Sequence, residues 1–304
     1  MKGLISIKDL TSKEIEGLFC LTDNLKSNKN KFSKVLAGKT LALVFQKPSN
    51  RTRVSFEVGM YQLGGNSIYL SPAEISLGVR ESVSDVAKTL SRYVDAIVIR
   101  TFEHKNVLQL AEHSDKPVIN GLSDLLHPCQ GLADVYTVRE KLKGIKAKTL
   151  AFIGDGNNVC NSLLFACAKT GLNMNVAVPA GYEPDKAVLE EAKVIAAAAK
   201  SSISLFNDPV KAVKGADAVY TDVWVSMGQE KEAEARRKAF RGFQLNSALM
   251  SAAKKGALIM HCLPAHRGDE ITDEVIDSPN SVVFDQAENR MHVQKAILIE
   301  LLKG

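Results

Sequence analysis

Two kinds of polar cluster stand out along this 304-residue chain. The first is cationic: Phe45-Gln46-Lys47-Pro48-Ser49-Asn50-Arg51-Thr52-Arg53 follows an apolar run and leads into a helical pattern. A turn of that kind aims free backbone N–H groups and the positive end of a helix dipole at one point. Ser49 and Thr52 add hydroxyl donors, and Arg51 and Arg53 add forked cations suited to phosphate oxygens. The bland alternative is a helix cap with solvated arginines. Two cations in a first helical turn oppose the dipole, however, so an anionic ligand is expected. Arg100 closes a second apolar run and alone would read as a surface residue. In His127-Pro128-Cys129-Gln130 the proline holds His127 out of the helical region. Gln130 then stands at the start of a helix, and His127 alone is equally a structural or a catalytic residue.

The second kind is acidic and polar. Gly154-Asp155-Gly156-Asn157-Asn158 follows an apolar run, and its paired glycines invite a dinucleotide reading. That fingerprint needs glycine or alanine where this chain has Val159, so the reading is weak. Asn157 and Asn158 suit an amino-acid carboxylate or, equally, a helix cap. Asp222, in Asp222-Val223-Trp224-Val225-Ser226-Met227-Gly228, matches a cationic ammonium or simply starts a turn. His261-Cys262-Leu263-Pro264-Ala265-His266-Arg267-Gly268 carries a cysteine that is either an inert small hydrophobe or a thiol acidified by its histidine and arginine neighbours.

These clusters need a scaffold, and the hydrophobic pattern supplies one. Short β-branched runs alternate with helical spacing, the signature of parallel sheets built from βαβ units. Strands are expected at 41–45, 67–70, 96–99 and 117–119, then at 150–153, 175–178, 202–206, 218–221 and 257–260. Val83, Val86, Ala87 and Leu90 repeat at helical spacing, as do Val54, Val58 and Tyr61. Helices are also expected at 131–142, 186–200 and 286–302. The reading is α/β: two doubly wound parallel-sheet domains joined by helices, spanning 1–143 and 144–285, with the C-terminal helix 286–304 packing back on the first. Each polar cluster falls after a strand, where open α/β sheets bind ligands.

Composition narrows the class further. Hydrophobic residues make up 45% and charged residues 24%, as in ordinary globular proteins. The net charge of +5 is spread along the chain, which argues against a nucleic-acid surface and suits a small anion held by chosen cations. No apolar stretch reaches the ~20 residues that span a bilayer, and the first residues lack the apolar core of a signal peptide. The five cysteines form no Cys-x-x-Cys pair, so a reducing, cytoplasmic setting without a structural metal is expected.

Taken together, Ser49-x-Arg51-Thr52-Arg53, Arg100 and His127-Pro128-Cys129-Gln130 with Leu132-Ala133-Asp134 resemble the carbamoyl phosphate domain of the transcarbamoylase family. Asp222-Val223-Trp224-Val225-Ser226-Met227-Gly228 and His261-Cys262-Leu263-Pro264 resemble the amine half of its ornithine-using branch, and the likeness runs along nearly the whole chain. It implies that Ser49, Asn50, Arg51 and Thr52 hold phosphate, that Thr52, Arg100 and His127 point at the carbonyl oxygen, and that Gln130 takes the carbamoyl amide. Arg290 matches a family arginine near carbamoyl phosphate. Asn158, Asp222, Ser226 and Met227 would hold the α-amino and α-carboxylate groups of ornithine. Cys262 would sit beside the δ-amine, and the Leu263 carbonyl beside the carbamoyl NH₂. The implied reaction gives citrulline and phosphate, in arginine biosynthesis or breakdown, with Arg100, His127 and Cys262 as catalytic residues and no cofactor, metal or covalent intermediate.

The chain departs from the pattern at two places. Asn50 stands where threonine is common, and Ser76 where a glutamine usually reaches into a neighbouring subunit's site; Arg80 is a candidate replacement. A homotrimer or larger homo-oligomer is the implied assembly. A diamine acceptor such as putrescine would need no carboxylate-binding Asn158 or Ser226-Met227-Gly228 loop, aspartate would need more cations where Asp222 stands, and a nucleotide-dependent dehydrogenase would need the missing third glycine.

Overall fold

The computed structural model describes residues 1–303 and divides into two units. The first comprises Met1–Ala133 and the C-terminal segment from Glu288; the second is Asp134–Ala287. Both division points fall inside helices. The expected polar turn at 143–148 follows the first of them.

In the first unit the order is α1 (Ser12–Ser27), β1 (Thr40–Phe45), α2 (Asn50–Gln62), β2 (Asn66–Leu70), α3 (Pro72–Ile75), α4 (Val83–Leu90), β3 (Ala96–Arg100), α5 (His104–His113), β4 (Val118–Leu122) and α6 (Pro128–Lys141), whose end crosses into the second unit. The sheet is wholly parallel, in the order β2-β1-β3-β4. β1 and β3 are central and covered on both faces, which is why they read as unbroken apolar runs. Because β2 and β3 flank β1 on opposite sides, the connections diverge at the carboxyl ends of β1 and β3. The sheet register pairs Phe45 with Arg100 there.

The second unit runs β5 (Thr149–Ile153), α7 (Asn158–Thr170), β6 (Asn173–Ala177), α8 (Lys186–Ala198), β7 (Ile203–Phe206), α9 (Pro209–Val213), β8 (Ala218–Thr221), α10 (Ala233–Phe240), α11 (Ser247–Met250), β9 (Leu258–His261), α12 (Asp273–Ile276) and the start of α13 (Val283–Leu302). Its parallel sheet has the order β7-β6-β5-β8-β9, so its divergence point lies between β5 and β8. A core of Ala151, Ile153, Val219, Trp224, Phe240 and Ile259 packs on one face.

From Glu288 onward α13 belongs to the first unit. Lys295 donates to Gln62 at 2.9 Å, Lys26 donates to Asn289 at 2.6 Å, and a methyl added at Gly59 would press on the Lys295 side chain at 3.3 Å. That close seat carries Arg290 to the α2 N-terminus. The α2 stripe differs from an ordinary core face: Val54, Val58 and Tyr61 point outward (Tyr61 is 82% exposed), and Phe56, Gly59 and Met60 are the buried face. Ile68, on the edge strand β2, is exposed as well. Among the described residues no helix is long and apolar enough to cross a membrane.

Candidate active site

At the divergence point of the first sheet, Ser49 is the N-cap of α2. Its hydroxyl accepts from the Thr52 N–H and donates to Thr52 Oγ1, each at 3.1 Å. The cap and the ligand turn are therefore one object. Thr52 is fully buried, and Oγ1 also accepts from Arg290 at 2.5 Å and from Arg100 at 3.4 Å. With both lone pairs of the oxygen taken up by these donors, the hydroxyl proton is left to donate. Arg290 donates in addition to Gln130 Oε1 at 3.0 Å, which fixes the amide so that its NH₂ faces away from Arg290.

His127 is buried among these cations. Burial first, then the charges of Arg290, Arg100 and Arg51, hold its pKa well below the ordinary histidine value. The ring is therefore neutral and offers an N–H without adding charge. Asn50 and Arg51 occupy the first turn of α2.

Arg53 is a correction to the sequence reading. It pairs with Glu57 at 3.0 Å and lies over the Tyr69 ring at 3.8 Å. Residues two apart on an α-helix point about 200° apart, so Arg51 and Arg53 cannot share a ligand face. Ser76 is not part of the Thr52 knot. It ends α3 with a left-handed φ of 39°, its hydroxyl turned back to Pro72 O at 3.3 Å. Gln46 fastens the next residue, donating to Leu77 O at 2.7 Å, and Arg80 donates to Glu74 O at 3.2 Å.

At the divergence point of the second sheet, Asn157 is the N-cap of α7, accepting from Val159 and Cys160, and Asn158 is the first helical residue. The Asn157 amide reaches across the strand ends to donate to Asp222 Oδ2 at 2.8 Å. Asp222 is buried and also accepts from the Val223 N–H at 2.8 Å and the Cys262 thiol at 3.0 Å. Cys262 directly follows β9, whose His261 pairs in register with Thr221. The two reactive groups are thus level because the sheet register makes them so.

Of the two readings of Cys262, acidification by neighbouring cations fails. Burial and the Asp222 charge push its pKa well above the usual thiol value. His261 is committed elsewhere: Nε2 lies 3.0 Å from Glu270 Oε1, and Nδ1 accepts from the Leu263 N–H at 2.8 Å. Arg267 is bound to Asp273 and Asp277. Cys262 is a neutral thiol, and the His261–Glu270 pair secures Leu263, whose φ is +59°. Asp222, His261 and Cys262 bring their ligand-capable atoms within 4.8 Å of one another, but a cation there would have to break the thiol–Asp222 and Leu263–His261 bonds.

Ser226 and Met227 lie in the loop after β8, Met227 half-exposed. The Ser226 N–H donates to Gln229 Oε1 at 3.0 Å, and the Gly228 N–H donates to Glu230 Oε1 at 2.9 Å. Sequence reasoning missed what anchors this loop. Arg236, buried on α10, donates to Asp155 at 3.0 Å and to the Trp224 carbonyl at 3.1 Å. Burial lifts Asp155 to a pKa of about 6 despite Arg236. Gly156, after Asp155, also has a packing reason: a side chain there would strike the Pro184 backbone nitrogen at 2.2 Å.

The chain is similar to known proteins along its whole length. Residues 2–140 match the family model described as the aspartate/ornithine carbamoyltransferase carbamoyl-P binding domain, and residues 146–301 match the Asp/Orn binding domain of the same family. The ornithine carbamoyltransferase of Thermococcus kodakarensis is 53% identical over 305 residues, covering 100% of this chain and 97% of that protein. The Bacillus subtilis ornithine carbamoyltransferase is 52% identical over 304 residues, covering 99% of this chain and 94% of its own length. The solved ornithine carbamoyltransferase of Pyrococcus furiosus superposes with a TM-score of 0.97 at 52% identity, covering 100% of this chain and 97% of that one. This chain belongs to the aspartate/ornithine carbamoyltransferase family.

Proposed function

We infer that this chain transfers the carbamoyl group of carbamoyl phosphate to the δ-amine of L-ornithine, releasing L-citrulline and phosphate. The observation that carries the reading is the opposite electrical character of the two ends: three arginines act on buried His127, whereas carboxylates surround Cys262. An anionic donor fits the first and an ammonium acceptor fits the second.

In this reading Ser49, Asn50, Arg51 and Thr52 bind the phosphate group with the α2 N-terminus. Thr52, Arg100 and His127 donate to the carbonyl oxygen, where negative charge grows during attack; preorganised donors at such a position are usually the largest catalytic contribution. Gln130 and the Leu263 carbonyl hold the carbamoyl NH₂. Asn158, Asp222, Ser226 and Met227 hold the amino-acid end of ornithine. The δ-ammonium must lose a proton before it attacks, and Asp222 with the Cys262 thiol orients it for that loss. The amine adds to the carbonyl carbon, the tetrahedral intermediate collapses, and the departing phosphate carries the second amine proton away. A neutral thiol suits an orienting group rather than a nucleophile.

The amino-acid acceptor is favoured over putrescine by the loop bearing Ser226 and Met227, which a diamine would leave without a partner. The exposed Val54, Val58 and Tyr61 stripe, with Ile68 on the edge strand, fits burial against further copies of this chain, in keeping with a homotrimer. Tyr61→Asp should then lower the sedimenting mass. The five free thiols suit a reducing cytoplasmic setting. Isothermal titration separates the main readings: heat with carbamoyl phosphate and none with NAD is expected, and heat with NAD alone would overturn the assignment.

A further inference from the structure

Behind the Cys262 thiol lies a closed ring of buried polar groups that the mechanism above does not use. Tyr220 on β8 is fully buried, and its hydroxyl donates to Asp134 Oδ2 at 3.1 Å. The Gln286 amide donates to that same hydroxyl at 3.1 Å and to Asp134 Oδ1 at 2.6 Å. Gln286 Oε1 in turn accepts from the backbone N–H of His261, the residue before Cys262, at 3.1 Å. Three side chains from α6, β8 and α13 thus lock one another and the end of β9. All three are buried, and apolar residues would fill such space at lower desolvation cost. A polar ring kept there needs a reason.

Its geometry supplies one. Tyr220 and Asp222 are two apart along an extended segment and so tend to face the same side. Asp222 accepts from the thiol at 3.0 Å, and the sheet register pairs Tyr220 with Met260, two residues before Cys262, so the phenol and the thiol share one face. The face that presents the sulphur thus also carries the carboxylate it donates to and a phenol locked from behind. We propose that Tyr220, held by Asp134 and Gln286, is a positioning residue that keeps the Cys262 sulphur against Asp222, in register for the incoming amine. This role rests on the assignment of Cys262 to the ornithine δ-amine. Tyr220 touches no substrate in it and acts only through the thiol.

A double-mutant cycle tests it, with citrulline formation as readout. Tyr220→Phe should raise the KM for ornithine about five- to tenfold and leave the KM for carbamoyl phosphate within about twofold. In a Cys262→Ala background the same substitution should add less than about a twofold further change, because the group it acts through is gone. A merely structural tyrosine would instead weaken both backgrounds alike. An unchanged ornithine KM in Tyr220→Phe, or effects that multiply in the double variant, would overturn the role of Tyr220 alone. An unchanged ornithine KM in Cys262→Ala would instead sink the assignment of Cys262 and this role with it. Should Tyr220→Phe not accumulate as folded protein, Asp134→Asn keeps the shape of the ring and is judged by the same criteria.

Discussion

The two sheets solve the same placement problem with opposite electrostatics. Each puts its polar groups where the strand order diverges, beyond the carboxyl ends of two central parallel strands. In the first, buried histidine is surrounded by guanidinium groups and stays neutral. In the second, two thiols and a buried phenol stay protonated, first because little water reaches their ionising atoms and then because carboxylates lie beside them. The lesson is that the fold fixes where a site forms, whereas the sign of the charge brought to it decides which substrate that site accepts.

The largest expected break in this contrast comes at Arg100. Arg100→Ala removes the donor that the proposed mechanism aims at the developing oxyanion and should lower kcat about 100- to 1,000-fold. Its melting temperature should change little; near-normal citrulline formation would end the oxyanion role. Cys262→Ala strikes only the second sheet. It should raise the ornithine KM about tenfold while carbamoyl phosphate affinity, read by titration, stays within about twofold. Equal loss of both substrates would mark a structural cysteine.

Arg236→Gln tests the anchor of the 223–229 loop. It frees the Trp224 carbonyl and strands Asp155, whose pKa near 6 lets it take up a proton and soften the damage. A stability loss of about 1–3 kcal/mol is expected, with a several-fold rise in the ornithine KM; an ornithine KM matching wild type would remove the anchor from the substrate argument.

The smallest effect concerns pH. His127 resists protonation when folded, whereas in the unfolded chain it titrates near ~6.5. The unfolded state therefore binds more protons as pH falls below that value, and stability is lost at up to about 1.4 kcal/mol per pH unit. The contribution is fully present above the unfolded pKa. His127→Gln should flatten the stability decline between pH 6.5 and 5.5 in urea titrations; parallel curves would show that His127 is not held neutral.

How much of this was legible beforehand follows from the same contrast. Strands and their turns were readable because central parallel strands are buried on both faces and carry continuous apolar runs, as in Leu41 to Phe45 and Ala96 to Ile99. Asp222 was readable because it directly follows such a run, and Arg51 and Thr52 because they open the helix after one. Arg53 was misread because sequence adjacency hides the rotation of a helix. Arg290 was reachable only through family likeness, since 190 residues separate it in sequence from Arg100 and nothing local marks it. Arg236 sits in a charged stretch, Glu230 to Lys238, that looks like any solvated helix. Tyr220 looks like strand filler; its polar partners come from α6 and α13, and no local pattern announces a contact so distant in sequence.

In the proposed reaction an anion-binding end and an amine-binding end together make citrulline. Initial rates of carbamoyl transfer from carbamoyl phosphate, with L-ornithine and putrescine compared at equal concentration, test it most directly. Rapid citrulline formation is expected, with at most a trace of carbamoylated putrescine. Equal use of the two amines, or no carbamoylated product from ornithine, would contradict it.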